Sequence, residues 1–292
     1  MAKLTTDDGV GLYCEETGAG TPIVFVHEFA GDLRSYEPQV RYFSRRYRCI
    51  AYNARGYPPS DVPEAVESYS QERARDDVRC VLDALKIDRA HIVGVSMGAF
   101  ATLHFGFAFP ERALSLVVGG CGYGAEPKRR QQFSDDAARL AAEITAKGIA
   151  EVSKTFGAGP ARLQYRNKDP RGYGEFRAQF AEHSTQGSAN TMRGVQARRP
   201  SLWDLTDKMT SLDVPTLIAI GDEDDHCLEP GLLMKRCIRS AALVVLPNTG
   251  HALNLEEPSL FNRFCEDFFH QVESGRWPRH DPGAVFGSIF GT

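Results

Sequence analysis

Three side chains of the types used in nucleophilic catalysis occur along the chain in the order serine, aspartate, histidine. The first is Ser96, which stands in the stretch IVGVSMGAF (92–100) between Gly94 and Gly98. A strand that turns sharply into a helix holds such a serine in strained dihedral angles, and small neighbours relieve the crowding around it. The turn also exposes the hydroxyl at the carboxyl end of the sheet, where open α/β sheets bind ligands. The stretch therefore predicts a nucleophilic serine.

A serine hydroxyl is a weak nucleophile at neutral pH and needs a base, which in turn needs a carboxylate to orient it. Downstream, the stretch IAIGDEDD (218–225) ends an apolar run in three aspartates, at positions 222, 224 and 225. His251 follows the last apolar run, in LPNTGHALNLEEP (246–258). The residues alone leave open which aspartate orients the histidine. His226, next to the aspartates, is predicted to lie at the rim of the site.

Six short apolar runs rich in Val and Ile alternate with helical patterns and predict the strands that position these groups. They are IVFVH (23–27), YRCIAYN (47–53), HIVGVS (91–96), LSLVVGG (114–120), TLIAIGD (216–222) and ALVVLPN (242–248). Such continuous runs indicate strands covered on both faces, as in a parallel sheet. Residues 69–87 predict a crossover helix, and Asp8-Gly9 predicts a turn between two antiparallel edge strands. Between about residues 122 and 212 no strand pattern appears, which predicts a helical insertion into one α/β domain.

At these residues the chain resembles the α/β-hydrolase fold family, whose members share the Gly-x-Ser-x-Gly elbow and the order serine, acid, histidine. The resemblance runs from about residue 22 to residue 269. It implies a mostly parallel sheet of about eight strands flanked by helices, with a helical cap inserted after the sixth strand. The implied division is a core of residues 1–121 and 213–275, a cap of residues 122–212 and a C-terminal tail of residues 276–292.

The resemblance also implies roles for single residues. Asp224, three residues beyond the glycine that ends its strand, corresponds to the catalytic acid of the family, with Asp222 as the alternative. His251 corresponds to the base. The backbone N–H groups of Met97 and Phe29 correspond to the donors of the oxyanion hole.

One position departs from the family pattern. Most members have His-Gly after the first parallel strand, where this chain has His27-Glu28. Two interpretations of Glu28 stay open on the sequence. It is either an outward-pointing residue that caps a loop amide or a carboxylate that shapes the pocket or orders a water.

Composition and motifs exclude several other functions. With 34 basic and 38 acidic side chains and a net charge of -4, the chain has no global field that would hold nucleic acid or an anionic membrane. Seven cysteines without a C-x-x-C pair favour a reducing cytoplasm, and no export signal or membrane span is predicted. Neither H-E-x-x-H nor a dinucleotide fingerprint occurs, so no metal or other cofactor is predicted. The sequence leaves formation of a homo-oligomer open.

The leading hypothesis is a serine hydrolase that cleaves a small-molecule carboxylic ester through an acyl-enzyme, with Ser96, His251 and Asp224 as its triad. A C–C bond hydrolase acting on a diketone-like acid is the alternative, because the Ser-Met-Gly elbow resembles that of the family's ring-fission hydrolases. A small-molecule receptor is the third hypothesis, since some plant hormone receptors of this fold retain an intact triad.

The insertion predicts a substrate with a negative charge. From residue 123 to residue 208 it contains fifteen Lys or Arg residues against ten Asp or Glu residues. Most of these suit a solvated cap surface, but NTMRGVQARRPSLWDL (190–205) sets three arginines among apolar residues. An arginine in apolar surroundings is suited to binding a carboxylate through two parallel hydrogen bonds. The side chains predicted to contact the substrate are Glu28, Arg193, Arg198 and Trp203, and the substrate would carry a free carboxylate.

Overall fold

One sheet of eight strands forms the centre of the computed structural model, which describes residues 2–156 and 159–280. The strands are β1 (Ala2–Thr5), β2 (Gly11–Thr17), β3 (Thr21–Val26), β4 (Tyr47–Tyr52), β5 (Ala90–Val95), β6 (Ala113–Gly119), β7 (Thr216–Gly221) and β8 (Ala241–Leu246). Their order across the sheet is β1-β2-β4-β3-β5-β6-β7-β8. The β1–β2 and β2–β4 pairs are antiparallel and the others are parallel. The predicted mostly parallel sheet is confirmed, and each of the six apolar runs forms one of the strands β3 to β8.

Helices cover both faces of the sheet. In the described ranges they are α1 (Glu37–Phe43), α2 (Gln71–Ala84), α3 (Met97–Ala108), α4 (Pro127–Lys147), α5 (Ile149–Phe156), α6 (Leu163–Lys168), α7 (Pro170–Ala181), α8 (Thr185–Thr191), α9 (Thr206–Thr210), α10 (Asp225–Cys237), α11 (Leu253–Glu256) and α12 (Pro258–Glu273). One face packs against α2, α3 and α10, where Val81, Phe100 and Met234 are buried. The other face packs against α1 and α12 through Phe43 and Phe269. Within these ranges, no helix combines the length and the apolar character that crossing a membrane requires.

The helix α2 shows how the sequence pattern becomes a buried face. Its N-terminus is capped by Ser70, whose side chain accepts a hydrogen bond from the N–H of Arg73. Val78, Val81 and Leu82 are fully buried against the sheet. Their spacing of three and four residues puts them on one side of a helix. The predicted crossover helix between β4 and β5 is confirmed.

The chain between β6 and β7 forms helices, and its described part contains no strand, as the sequence predicted. The helices α4 to α9 lie there and follow the sixth strand. A separate buried cluster joins them to the carboxyl end of the sheet, where Phe180 of α7 packs against Phe29, which follows β3. We call residues 122–212 the helical segment. Its predicted boundaries as a cap, and those of the core at 1–121 and 213–275, stay a prediction.

The start of the predicted C-terminal tail packs on the core. The indole N–H of Trp277 donates a hydrogen bond of 2.7 Å to the carbonyl oxygen of Ser240. The centroid of its ring lies 4.5 Å from that of Phe268 on α12. Residues 281–292 of this tail lie outside the described residues.

Burial of His104 on α3 makes the stability of the fold depend on pH. The residue is 6% exposed and its Nε2 has no hydrogen-bond partner. Burial lowers the pKa of His104 to about 4, with a smaller opposing effect of Glu72 and smaller supporting effects of Lys208 and Arg75. An unfolded histidine has a pKa of about 6.5, so between these two values the unfolded chain binds a proton that the folded chain does not. Stability therefore falls as the pH drops through this window.

We expect the substitution His104→Gln to reduce the loss of unfolding free energy between pH 7 and pH 5 by about 2 kcal/mol relative to the wild type. Urea denaturation of both proteins at the two pH values measures this difference. The wild type is the reference for the variant, because the other buried histidines contribute equally to the pH dependence of both proteins. An identical pH-dependent loss in the two proteins would show that His104 titrates alike in the folded and unfolded chains.

Candidate active site

The elbow that presents the predicted nucleophile lies between β5 and α3. Val95 ends the strand, Met97 begins the helix, and Ser96 between them has a φ of 54° and a ψ of -116°. A positive φ is uncommon for a residue that carries a side chain. The N–H of Ser96 donates a hydrogen bond of 2.8 Å to the carbonyl oxygen of Gly119 in β6. This bond holds the strained residue against the sheet.

Two glycines make the elbow sterically feasible. A Cβ atom at Gly98 would lie 1.9 Å from the carbonyl oxygen of Val26, the last residue of β3. A Cβ atom at Gly94 would lie 2.2 Å from the carbonyl oxygen of Gly98. Both distances are far inside van der Waals contact. The two positions therefore require glycine, for the reason that the sequence pattern suggested.

Ser96, His251 and Asp224 form one chain of hydrogen bonds. Nε2 of His251 lies 2.8 Å from Oγ of Ser96, and Nδ1 lies 2.7 Å from Oδ2 of Asp224. Asp224 precedes α10, and His251 lies in the loop between β8 and α11. The backbone N–H of His251 donates a hydrogen bond of 3.0 Å to the carbonyl oxygen of Ala161 in the helical segment, which fixes that loop. The structure thus brings together the three side chains that the sequence predicted as a triad.

The three aspartates after β7 differ in their surroundings. Asp224 is buried and contacts the histidine. Oδ1 of Asp222 accepts a hydrogen bond of 3.0 Å from the N–H of Thr249, which ties the loop after β7 to the loop after β8. Asp225 is exposed at the edge of the cavity described below. Of the three, Asp224 is the one placed to orient His251.

The carboxyl group of Asp224 is held in its ionised form. Burial by itself raises the pKa of Asp224, because a buried carboxylate loses hydration. The contacts with His251, together with hydrogen bonds from Cys227 and Tyr123, outweigh burial, so the pKa of Asp224 is lowered below its ordinary value. An ionised carboxylate at this position can stabilise an imidazolium that forms during proton transfer.

Tyr123 belongs to the site and was missed by sequence reasoning. The centroid of its ring lies 4.7 Å from that of His251 and 4.7 Å from that of His226, which is exposed at the rim. Burial and the neighbouring Asp224 raise the pKa of Tyr123, so its hydroxyl stays neutral. Its position was the available signal, because it follows Gly119 at the carboxyl end of β6, the edge where such sheets bind ligands.

Two backbone N–H groups near Ser96 are free to stabilise an oxyanion. Among the described residues, neither the N–H of Met97 nor that of Phe29 donates a hydrogen bond to another group of the chain. Met97 is the first residue of a helix of 12 residues, whose N-terminus favours negative charge. The hydroxyl of Tyr57 donates a hydrogen bond of 3.0 Å to the carbonyl oxygen of Phe29 and fixes the loop after β3. These two groups stay the predicted donors.

Ser96 lines a cavity of about 590 Å³ between the sheet and the helical segment. The loops after the strands, including the first residues of the helical segment, contribute residues that include Glu28, Phe29, Tyr123 and His251. The helical segment contributes residues that include Phe133, Leu140, Phe156, Arg162, Met192 and Arg199. A cavity of this size is typical of sites for small molecules.

Glu28 points into this cavity. Its side chain and that of Arg162 are each 6% exposed, and the carboxylate forms an ion pair with the guanidinium. The guanidinium carbon of Arg162 also lies 5.1 Å from the ring centroid of Phe176 on α7. The interpretation of Glu28 as an outward-pointing loop cap is therefore excluded. Because each charge has its partner, the pair contributes no net charge to the cavity wall.

Three of the residues predicted to contact the substrate do not line the cavity. Arg193 donates a hydrogen bond of 2.8 Å to Oγ1 of Thr145 on α4. Arg198 is exposed to solvent. Trp203 packs against the buried cluster that contains α2, α3 and α10.

Helical geometry explains why Arg193 and Arg198 do not line the cavity. Residues 192–196 form a π-helical turn that continues α8. Met192, Gln196 and Arg199 line the cavity. Their spacing of four and three residues marks one side of a helical turn, so Arg193 and Arg198 project from other sides. The arginine of this stretch that reaches the cavity wall is Arg199.

Three potential metal ligands meet at the triad. Atoms of Asp224, Cys227 and His251 lie within 4.8 Å of one another. Burial raises the pKa of the Cys227 thiol well above its ordinary value, with Asp224 adding to the effect. A cysteine binds a metal as its thiolate, so the buried and protonated thiol of Cys227 suits this role poorly. Both ring nitrogens of His251 already have hydrogen-bond partners, which fits a catalytic triad better than a metal site.

The chain belongs to the α/β-hydrolase fold family, because residues 21–258 match the family described as alpha/beta hydrolase fold. At the level of class it is a hydrolase of this family, as the resemblance of the elbow predicted. The strand order, the elbow and the helical segment after the sixth strand agree with this assignment.

Similar proteins differ in the reactions that their names state. The chain is 26% identical to 3-oxoadipate enol-lactonase 1 of Acinetobacter baylyi, over 86% of this chain and 89% of that protein. It is also 26% identical to 2-hydroxy-6-oxo-6-phenylhexa-2,4-dienoate hydrolase of Comamonas testosteroni, over 89% of this chain and 91% of that protein. Among solved structures, a thermophilic esterase from Thermogutta terrifontis superposes with a TM-score of 0.81 at 23% identity, covering 93% of this chain and 98% of its own. The last similarity concerns the fold alone.

The substitution Asp224→Asn removes the charge that stabilises an imidazolium at His251. We expect kcat/KM for 4-nitrophenyl acetate to fall by roughly 10³- to 10⁴-fold. The matched control is Asp225→Asn, which changes an exposed neighbour and should cost less than about threefold. Steady-state kinetics of both variants measures the contrast. Small and equal losses in both would move the orienting role to Asp222 or elsewhere.

Proposed function

We propose that the chain hydrolyses a small-molecule carboxylic ester, open-chain or cyclic, through an acyl-enzyme on Ser96. The observation that carries the proposal is the hydrogen-bonded chain from Ser96 through His251 to Asp224, which meets the cavity under the helical segment. The identity to an enol-lactonase supports an ester bond as the target.

The first half of the reaction transfers the acyl group to the enzyme. Nε2 of His251 takes the proton from Ser96 while the serine oxygen attacks the acyl carbon. The carbonyl oxygen becomes an oxyanion, which the N–H groups of Phe29 and Met97 stabilise. The bond between the acyl carbon and the alkoxy oxygen then breaks, and His251 donates its proton to that oxygen. The alcohol leaves, or stays attached to the acyl chain if the substrate is a lactone.

The second half releases the acid. His251 takes a proton from a water molecule while the water oxygen attacks the acyl carbon bound to Ser96. The bond to the serine oxygen breaks, and His251 returns the proton to it. Throughout both halves, Asp224 accepts the hydrogen bond from Nδ1–H, which keeps the other ring nitrogen free to act as base.

A C–C bond hydrolase stays the second candidate, because the chain is equally similar to a 2-hydroxy-6-oxo-6-phenylhexa-2,4-dienoate hydrolase. The predicted serine, acid and histidine would serve either reaction. The two candidates differ in the bond that is cleaved. Product analysis after incubation with an aryl ester and with a vinylogous 1,5-diketone acid therefore distinguishes them. If neither substrate is cleaved, the receptor hypothesis is favoured.

Removal of the nucleophile tests the proposal. We expect Ser96→Ala to fold like the wild type and to lose ester hydrolysis by on the order of 10⁴-fold or more. A fluorophosphonate should label the wild type on the peptide that contains Ser96. The matched control is Ser259→Ala, which changes an exposed serine on α12 and should keep full activity and labelling. Labelling at a different residue, or activity retained in Ser96→Ala, would contradict the assignment.

A further inference from the structure

The cavity wall contains a buried arginine without an anionic partner. Arg199 is 2% exposed, and its Nε has no hydrogen-bond partner. In the part of the chain that the structure describes, no carboxylate pairs with it, and none of its side-chain nitrogens donates a hydrogen bond to the protein. The other buried arginine of the cavity, Arg162, differs because Glu28 neutralises it.

Two aromatic rings hold the guanidinium in place. Its central carbon lies 4.1 Å from the ring centroid of Phe100 and 5.1 Å from that of Phe133. Such contacts partly compensate a cation through the negative faces of the rings. The ring faces accept no hydrogen bond from the guanidinium N–H groups, because these groups donate in the plane of the guanidinium. The donors of Arg199 therefore stay available to a ligand.

No anionic side chain among the described residues cancels the charge of Arg199. Burial lowers the pKa of Arg199 to about 9, which still leaves the side chain charged at neutral pH. The thiols of Cys121 and Cys227 lie close by, but burial raises the pKa of each, so both stay neutral. The remaining neighbour of note, Arg130, is another cation and adds to the local positive charge.

Apart from Glu28, which is paired with Arg162, the acidic residues described in the cavity wall lie at its solvent-facing edge. Glu223 and Asp225 are exposed, and Asp136 forms an ion pair with Arg139 on the surface of α4. Exposed carboxylates are screened by water and contribute little to the potential inside a buried site. Among the described residues that line the cavity, Arg199 is therefore the buried charge that has no paired opposite charge.

We propose that Arg199 binds a carboxylate carried by the substrate, so that the preferred substrate is an ester or lactone with a free carboxylate on its acyl or alcohol part. This inference rests on the proposed function, since the same cavity contains Ser96 and Arg199. A carboxylate accepts two parallel N–H donors of a guanidinium, and burial strengthens both bonds. In this proposal the stretch 190–205 contributes the anion-binding group through Arg199, and not through Arg193 or Arg198, which the sequence favoured.

Two esters of equal chain length test this inference. The first is the 4-nitrophenyl monoester of glutaric acid, which keeps a free carboxylate, and the second is 4-nitrophenyl pentanoate, which is neutral. We expect the wild type to prefer the monoester in kcat/KM. Arg199→Met, which keeps the packing of the stem on the rings, should lower kcat/KM for the monoester by about 10- to 100-fold and that for the neutral ester by less than about threefold. Arg199→Lys should fall between, because it keeps the charge and loses the second parallel bond.

Two control variants separate this site from other charges of the helical segment. Arg171→Met changes an arginine whose side chain is 91% exposed and should leave both esters unaffected. Arg198→Met tests the neighbour that the sequence favoured. Loss of the preference in Arg198→Met and not in Arg199→Met would overturn the inference. The thermal midpoint of Arg199→Met should not fall, because the substitution removes an unpaired buried charge. A fall together with equal losses on both esters would show a structural role and would also overturn it.

Binding without turnover distinguishes failure of this inference from failure of the proposed function. Calorimetry on Ser96→Ala, which cannot be acylated at this position, gives Kd for the intact monoester. We expect Kd to rise by about 10- to 100-fold when Arg199→Met is added. If this rise is seen but the wild type cleaves neither ester, the proposed function fails and the anion site stands. If the wild type cleaves both esters with equal kcat/KM and Arg199→Met leaves Kd unchanged, the proposed function stands and the anion site is wrong.

Discussion

The close approach of three backbone segments around Ser96 is the constraint on which the rest of the site depends. The first turn of α3 packs so tightly on the end of β3 that Gly98 has no room for a side chain. This packing keeps Ser96 at a positive φ and places the loop after Val26, with Glu28 and Phe29, in the wall of the same cavity. The buried central strands supply the stability that retains this strained turn.

The cavity concentrates unfavourable features at the groups that have a proposed part in catalysis. Glu28 and Arg162 neutralise each other, and Asp224 is paired with His251. Arg199 has no such partner in the described chain, and Ser96 has a backbone conformation that is rare for its residue type. Strain and unmatched charge of this kind destabilise a fold and persist mainly where function requires them. The hydrophobic clusters on both faces of the sheet offset these local costs.

Local sequence patterns sufficed for the sheet and for the nucleophile elbow, because buried strands and a glycine-flanked serine leave signals within a few residues. The order of serine, acid and histidine came from the family resemblance. Contacts between distant parts of the chain leave no such signal. Glu28 and Arg162 are 134 positions apart, and neither neighbourhood indicates the ion pair. The choice of Arg199 over Arg193 and Arg198 depends on which side of this helical turn faces the cavity. All three arginines have apolar neighbours in the sequence, so the stretch itself does not indicate that side. The choice of Asp224 came from the family resemblance, since the three aspartates look alike in the sequence.

The most direct test of Ser96 as the nucleophile is intact-protein mass spectrometry after mixing the wild type with an aryl carbamate, whose carbamoyl-enzyme is hydrolysed slowly. If the triad acts as proposed, one equivalent of 4-nitrophenol is released from a 4-nitrophenyl carbamate as the protein gains the mass of one carbamoyl group. Peptide mapping then places that group on the peptide containing Ser96. Release of 4-nitrophenol without a covalent adduct, or an adduct on another residue, would contradict a mechanism through an acyl-enzyme on Ser96.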